Sequence, residues 1–173
     1  ASSNANFGSS VAIQGDTVII GSDSEFQQRG AAYIFTRSGS TWTEQQKIVA
    51  SDRTMNHRFG TSVAIDGNTV VVGSASILSN ITGGAYVFTL SGSTWTEQQK
   101  LVASDSSVNI RFGWAVGISG DTVIVGAYLD DQIVNNSGSV YVFTRSSGTF
   151  TQTQKIINPT PGSSDQFGYS VAI

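Results

Sequence analysis

Phe59-Gly60-Thr61-Ser62-Val63-Ala64-Ile65-Asp66-Gly67-Asn68-Thr69-Val70-Val71-Val72-Gly73 decides how this chain folds. Residues 7–21 and 112–126 restate it almost letter for letter, and Phe167-Gly168-Tyr169-Ser170-Val171-Ala172-Ile173 starts it again. The Phe-Gly pair returns after 52, 53 and 55 residues. A period near 50 residues marks units that bury their apolar face only by stacking on a neighbour. Within the stretch, Val63 and Ile65 alternate with the small Ser62 and Ala64, as on a strand with one core face and one closely approached face. Asp66-Gly67-Asn68 is hairpin-turn chemistry, because these residues tolerate positive φ. Residues 69–73 are then apolar on both faces, the pattern of a strand covered from above and below.

Two more strands follow in each unit. The third reads Ala31-Ala32-Tyr33-Ile34-Phe35-Thr36, with copies at 85–89 and 140–144 that keep Tyr and Phe two apart on one face. The fourth starts on Trp42, Trp95 or Phe150, ends on Ile48, Leu101 or Ile156, and is polar between, as an outer, partly solvated strand reads. Loops at 22–29, 74–82 and 127–137 join strands two and three and are the one place where the units differ in length and content. Variable loops on a constant scaffold usually carry specificity. The expectation is an all-β chain with no helix, its polarity rising from first strand to fourth. That gradient favours a β-propeller of four-stranded antiparallel blades, with the first strand near a central axis. The blades occupy residues 1–58, 59–111 and 112–166, and 167–173 supplies the first strand of a fourth, all in one continuous segment.

Charged residues make up only 12% of the 173, and the net charge is −3. No basic patch is present to neutralise phosphates, so nucleic acid is not expected as a partner. With 19 glycines and 2 prolines, the composition suits many tight turns between short strands. The absence of cysteine excludes disulfides, thiolate metal sites and cysteine nucleophiles. No apolar run approaches the length of a membrane span, so insertion is not expected. Low charge with abundant Ser, Thr, Asn and Gln reads as an exported protein. The start at Ala1, without an initiator Met or signal peptide, reads as a processed or excised segment.

The pairs Phe7-Gly8, Phe59-Gly60, Phe112-Gly113 and Phe167-Gly168 resemble the FG of FG-GAP repeats. Gly21-Ser22-Asp23, Gly73-Ser74-Ala75 and Gly126-Ala127-Tyr128 stand where the GAP would be, and only Gly126-Ala127 keeps two of its letters. The resemblance covers essentially the whole chain and implies the β-propeller of integrin α-subunits and of many exported microbial and algal proteins. The roles it implies are adhesion and recognition. Integrin-type blades often carry an acidic calcium loop between strands one and two, where this chain has only the turns at Gly15, Gly67 and Gly120. Calcium takes about 6–8 oxygen ligands, which such a turn does not offer, so the family's calcium site is not carried over.

The catalytic inventory is thin, and no cofactor is expected. His57 is the only histidine and reads as a loop residue before Arg58-Phe59-Gly60. Asp130 and Asp131, near Asn135, are the candidates for a divalent cation through oxygens. Asp23 with Glu25 is a second acidic loop and a candidate ligand contact, as are Tyr128 and Trp114. Trp114 replaces Ser9, Thr61 and Tyr169 of the other units, whereas Trp42 and Trp95 share one scaffold position and read as packing. Asp16 with Asp121 and Glu44 with Glu97 recur with the fold and read as turn and edge residues rather than acid–base pairs. Lys47, Lys100 and Lys155 read as guards of the outer edge or as a basic ligand stripe. Asn80-Ile81-Thr82 and Asn135-Asn136-Ser137 are N-glycosylation sequons in the same loop of successive units.

Three blades are too few for a ring, which closes with about 4–8. The expected partners are therefore further blades, from the remainder of a longer chain or from other copies. Residues 167–173 repeat the phase of 7–13, which suits head-to-tail addition in which one copy's last strand supplements the next; addition that does not close gives a filament. The functional expectation is a non-enzymatic, extracellular structural or adhesive protein acting through blade surfaces and self-association. The alternative is a lectin-like module that binds glycans or a cell-surface protein through the strand two–three loops.

Overall fold

A computed structural model describes residues 5–76, 78, 82–105 and 109–173. Its strands fall into three antiparallel sheets of four, each in chain order. The first blade is β1 (Phe7–Gln14), β2 (Thr17–Ser22), β3 (Ala31–Ser38) and β4 (Thr41–Ile48). The second is β5 (Phe59–Asp66), β6 (Thr69–Ser74), β7 (Gly84–Ser91) and β8 (Thr94–Leu101). The third is β9 (Ala115–Ser119), β10 (Thr122–Ala127), β11 (Ser139–Ser146) and β12 (Thr149–Ile157). Sequential pairing through short turns makes each blade a meander, and each lies face to face on the next, as in a propeller.

Stacking explains why the second strand is apolar on both sides. In the middle blade every residue of β6 is buried, while β2 and β10 in the flanking blades keep partly exposed positions. Two cores result. Ile19, Ile34 and Ile48 from the back of the first blade meet Phe59, Val63, Val70, Val72, Tyr86 and Trp95 from the front of the second. Val71, Val87 and Leu101 from the back of the second meet Phe112, Val116, Val123, Val125, Tyr141 and Phe150 from the front of the third. The Phe of each of the first three Phe-Gly pairs forms an aromatic corner with the Tyr and Phe of strand three. Phe59 lies 5.4 Å from Tyr86 and 6.0 Å from Phe88, and Phe112 lies 5.3 Å from Tyr141 and 6.1 Å from Phe143, all edge to face. Such pairs contribute about 0.5–1.5 kcal/mol beyond area burial.

The glycines of the repeat lock the blades together. A Cβ on Gly21 would collide with the carbonyl oxygen of Gly60 in the next blade, and Gly73 stands in the same relation to Gly113. Gly60 itself has φ +92°, so side chains are excluded at both members of the contact. Polar bridges flank this contact. The hydroxyls of Ser10 and Ser62 donate to the carbonyls of Gly60 and Gly113, at 2.8 and 3.0 Å. The Gln46 amide donates to the Trp95 carbonyl and accepts from its N–H, and Gln99 clamps Phe150 in the same two ways.

Several expectations need correction. In the middle blade burial is greatest at the second strand rather than the first, since every residue of β6 is buried and β5 is only partly so; in the first blade β1 is largely exposed because no described blade covers its front. The first variable loop closes in a tight turn over Glu25–Gln28, whose left-handed φ at Phe26, Gln27 and Gln28 is not that of an α-helix, so the blade stays all-β as expected. Phe7 and Phe59 lie within strands, whereas Phe112 sits in a turn before β9. Residues 167–173 form no ladder. Phe167 makes a parallel bridge to Gly138, as Phe59 does to Gly30, and Gly168 abuts Gly126 as Gly60 abuts Gly21. The segment thus holds the place of a first strand, but the second strand that would pair with it is not among these residues. No helix of the described residues is long and apolar enough to cross a membrane.

Candidate functional site

Among the described residues, the variable loops and the linkers entering the Phe-Gly pairs share one end of the stack, and the acids Asp23, Glu25 and Asp130 there are buried. Asp23 is 3% exposed: its carboxylate pairs with Arg58 of the linker that enters the next blade and accepts from the Asn6 amide and the Ser24 hydroxyl. Glu25 is 2% exposed, pairs with Lys47 and accepts from the Tyr33 hydroxyl at 2.6 Å. Neither is the free surface carboxylate expected of a ligand contact, because each closes an internal ion pair. Burial alone would raise the Glu25 carboxyl, but the Lys47 and Tyr33 hydrogen bonds outweigh it and hold the group below its ordinary range.

The same triad of lysine, strand-three tyrosine and acid recurs with acids of different origin. Lys100 pairs at 2.7 Å with Asp52, which follows strand four of the preceding blade, and Tyr86 donates to the same carboxylate at 2.7 Å. Lys155 pairs with Asp105, which follows strand four of the second blade, and with Asp130 from its own loop, at 2.7 and 2.6 Å. Each ammonium also lies over its tyrosine ring, at 5.1–5.3 Å. The lysines are therefore neither bare edge guards nor a ligand stripe; they tie strand four to a loop or to the neighbouring blade.

Asp130 is spoken for in the same way. Besides Lys155, it accepts from the Ser139 and Tyr141 hydroxyls and from the Gln132 N–H. Burial would raise it, yet these partners hold it below the usual carboxylate range. Asp131 is exposed and stands apart from this network, so the two do not converge on a cation. Among the described residues no group of three metal-ligating side chains comes together. His57 is 5% exposed and packs its ring 6.5 Å from Tyr86, so it is a core residue of the linker rather than a surface loop residue. Asn135 is exposed, as a glycan acceptor must be, and Asn80 lies outside the described residues.

The two remaining ligand candidates are brought together. Trp114 and Tyr128 pack as tilted rings with centroids 4.8 Å apart, and Tyr169 joins them at 5.5 and 5.1 Å. Tyr169 is 52% exposed and the other two are half-buried. Trp114 stands out in the sequence because it breaks the repeat, and Tyr128 lies in a variable loop; Tyr169 gives no such signal because pairing across the 112–166 boundary is invisible in a single unit.

The largest anomaly is the front of the first blade. Phe7 is 48% exposed, Val11 65% and Trp42 38%, whereas their counterparts Phe59, Val63 and Trp95 are all below 10%; Ile13 is 61% exposed where its counterpart Ile65 is half-buried. The patch forms an apolar groove of about 450 Å³ between Phe7, Ile13, Val18, Ile20, Phe35 and Trp42. Its rings are already in the interfacial geometry, with Phe7 5.4 Å from Tyr33 and 6.4 Å from Phe35. A contiguous apolar surface of this kind marks an interaction site.

A family model described as FG-GAP repeat matches the chain at residues 1–35, 42–88 and 95–143. No curated protein matches it.

Proposed function

This chain belongs to the FG-GAP repeat family, and from that premise we propose that it is a non-enzymatic structural and adhesive propeller segment of the cell exterior, working through association of blade faces. One observation carries the reading: the front of the first blade exposes the apolar set that the second and third blades bury. The cover that set takes inside the molecule is the back of another blade. In a longer chain a further blade supplies it; for this segment alone a second copy does. The exterior location rests on the family and on the exported character of the composition. Sedimentation tests the association directly. The segment's mass is expected to rise with concentration, and Ile13→Lys, on a side chain already 61% exposed, is expected to leave it monomeric without loss of fold. A wild-type segment that stays monomeric up to about 1 mM would refute the association.

A second reading, recognition of glycans or of a cell-surface protein, is favoured by the Trp114, Tyr128 and Tyr169 cluster. Aromatic rings with a polar edge are the anchors such surfaces use. Glycan-array binding that disappears in Trp114→Ala supports it, and binding that survives this change removes the cluster from consideration.

A further inference from the structure

The two seams between blades share their glycine contacts and glutamine clamps but are built differently at the end opposite the variable loops. At the first seam, Trp95 fills the space between the sheets and is 3% exposed. The bulged residue of strand four, Gln45, reaches across to donate to the Ser93 carbonyl at 3.0 Å and closes the gap. At the second seam the smaller Phe150 stands in place of Trp95 and Gly148 in place of Ser93. The bulged Gln98 turns back to the Thr96 carbonyl instead, at 3.3 Å. A cavity of about 390 Å³ opens there, floored by Val87 and Phe150.

Three further differences from the second blade put polar groups on the cavity wall. Arg145 and Asp121 stand where the second blade has Leu90 and Asn68, an ion pair that the first blade repeats as Arg37–Asp16 away from any seam. Ser147 replaces Gly92 at a turn position with φ +51°, where the two other blades use glycine at +61° and +62°. A serine held left-handed where glycine would sit unstrained costs about 1 kcal/mol, and here its residue lines the cavity. The Arg145 guanidinium lies over the Phe150 ring at 5.2 Å and donates to Asp121 at 2.7 Å, and to Thr69 and Gly120 at 3.3 Å. Three of its five N–H groups are used in this way, which leaves two for a guest.

We propose that this cavity is a binding site for a neutral, monosaccharide-sized polyol, most simply a hexopyranose. The volume lies at the small end of the range for ligand pockets, roughly 300–1,000 Å³. Asp121 cancels the charge of Arg145, so the pair offers strong donors and acceptors to hydroxyl groups without the net positive charge that would select a phosphate. The Gln98 side chain adds an amide to the wall. Val87 and the Phe150 edge suit the C–H side of a pyranose ring. A bulge that re-aims a side chain beside such a site is a recurring device. The inference goes beyond the association of blade faces and places recognition at the opposite end from the Trp114 cluster.

The test is saturation-transfer NMR and titration calorimetry on the whole segment with glucose, galactose, mannose and N-acetylglucosamine, and with glucose 6-phosphate as the charged comparison. At least one neutral hexose is expected to bind with a Kd of about 1–10 mM. Phe150→Trp installs the residue that the first seam already accommodates and is expected to weaken binding at least about tenfold while the fold is kept. Arg145→Leu, again the first-seam residue, gives an independent loss. Trp114→Ala and Ile13→Lys are expected to leave this binding unchanged, which separates it from the other surfaces. No saturable signal for any neutral hexose at about 50 mM, equal binding by Phe150→Trp and wild type, or clear preference for the phosphate would each overturn the proposal.

Discussion

The same phenylalanine stands at Phe7, Phe59 and Phe112, and its replacement by alanine should cost different amounts in each blade. Phe59 and Phe112 are 0% and 1% exposed, and each lies edge-on to two rings inside a seam. Removing a fully buried phenylalanine costs about 3–5 kcal/mol, through lost transfer energy and the cavity left behind. Phe7 makes the same two ring contacts but is 48% exposed, since nothing covers its other side. About half the burial is missing, so Phe7→Ala should cost roughly 1.5–2.5 kcal/mol in dilute solution. Urea titration followed by tryptophan fluorescence reads the difference blade by blade, because Trp42, Trp95 and Trp114 belong to the first, second and third units. Stacked units unfold with nearest-neighbour coupling, so midpoint and slope are compared together rather than through one two-state fit. At concentrations where copies associate, the Phe7→Ala penalty should climb toward that of Phe59→Ala. Equal penalties for the two in dilute solution would mean that the first blade is covered within a single chain, and the argument for an open front would fail.

Three further outcomes are expected. Asp23→Ala removes the partner of Arg58 and should cost about 3 kcal/mol in chemical denaturation, somewhat below a fully buried pair because the Arg58 side chain is 21% exposed. Burial holds the His57 imidazole below its ordinary value of 6.5, so its neutral form stabilises the fold above that pH and the contribution is lost as pH falls below it. Melting curves between about pH 7 and 5 should show this loss, and His57→Ile, which copies Ile110 of the next unit, should remove it. Lys155→Met strips Asp130 of its counter-charge and should cost about 3–5 kcal/mol near neutrality. The Asp130 carboxyl is held below its ordinary 3.8 in the native protein, so that stabilisation is present above 3.8 and lost as pH falls further. The gap between wild type and variant should therefore close in acid, as equilibrium denaturation at a series of pH values will show.

The blades were legible because their signals are local. Alternation in Ser62-Val63-Ala64-Ile65, the Asp66-Gly67-Asn68 turn and the doubly apolar 69–73 each follow from backbone geometry within one unit. What lies between units was not legible. The spacing of Gly21 and Gly60 carries no hint that one would strike the other, and the repeated lysines gave no hint of their acids, because Asp52 serves Lys100 from the preceding blade. Asp23 and Glu25 were misread for the same reason: a loop rich in acids looks solvated until Arg58 and Lys47 are placed beside it. The cavity beside Phe150 was invisible since it arises from a Trp-to-Phe difference between units that each look well packed alone.

The origin of those acids bears on how one segment can meet another. The second and third blades take an aspartate, Asp52 or Asp105, from the end of the blade in front, whereas the first blade supplies its own Glu25 to Lys47. At the end of the third blade, Pro159 and Thr160 stand where Ser51-Asp52 and Ser104-Asp105 stand earlier. The third blade thus offers a follower no acid at that position, its linker's Asp165 being engaged by Asn158 and the Gly162 N–H, and the first blade needs none from a predecessor. Ser51 donates its N–H across the seam to Glu97, and Ser104 donates to Gln152 at 2.9 Å; Pro159 has no N–H to give. The back of the third blade retains Ile124, Val142, Ile156 and the clamp residue Gln154, the counterparts of side chains that hold the two internal seams. A head-to-tail contact would therefore rest on apolar stacking and the glutamine clamp, without the ionic links inside the chain. It would also compete with residues 167–173, whose Gly168 already abuts Gly126 in the place a first strand takes. Either that segment pairs with β2 of the incoming copy in place of its β1, or it must leave. Both routes break contacts before new ones form, which makes the association weaker than an internal seam and reversible on dilution.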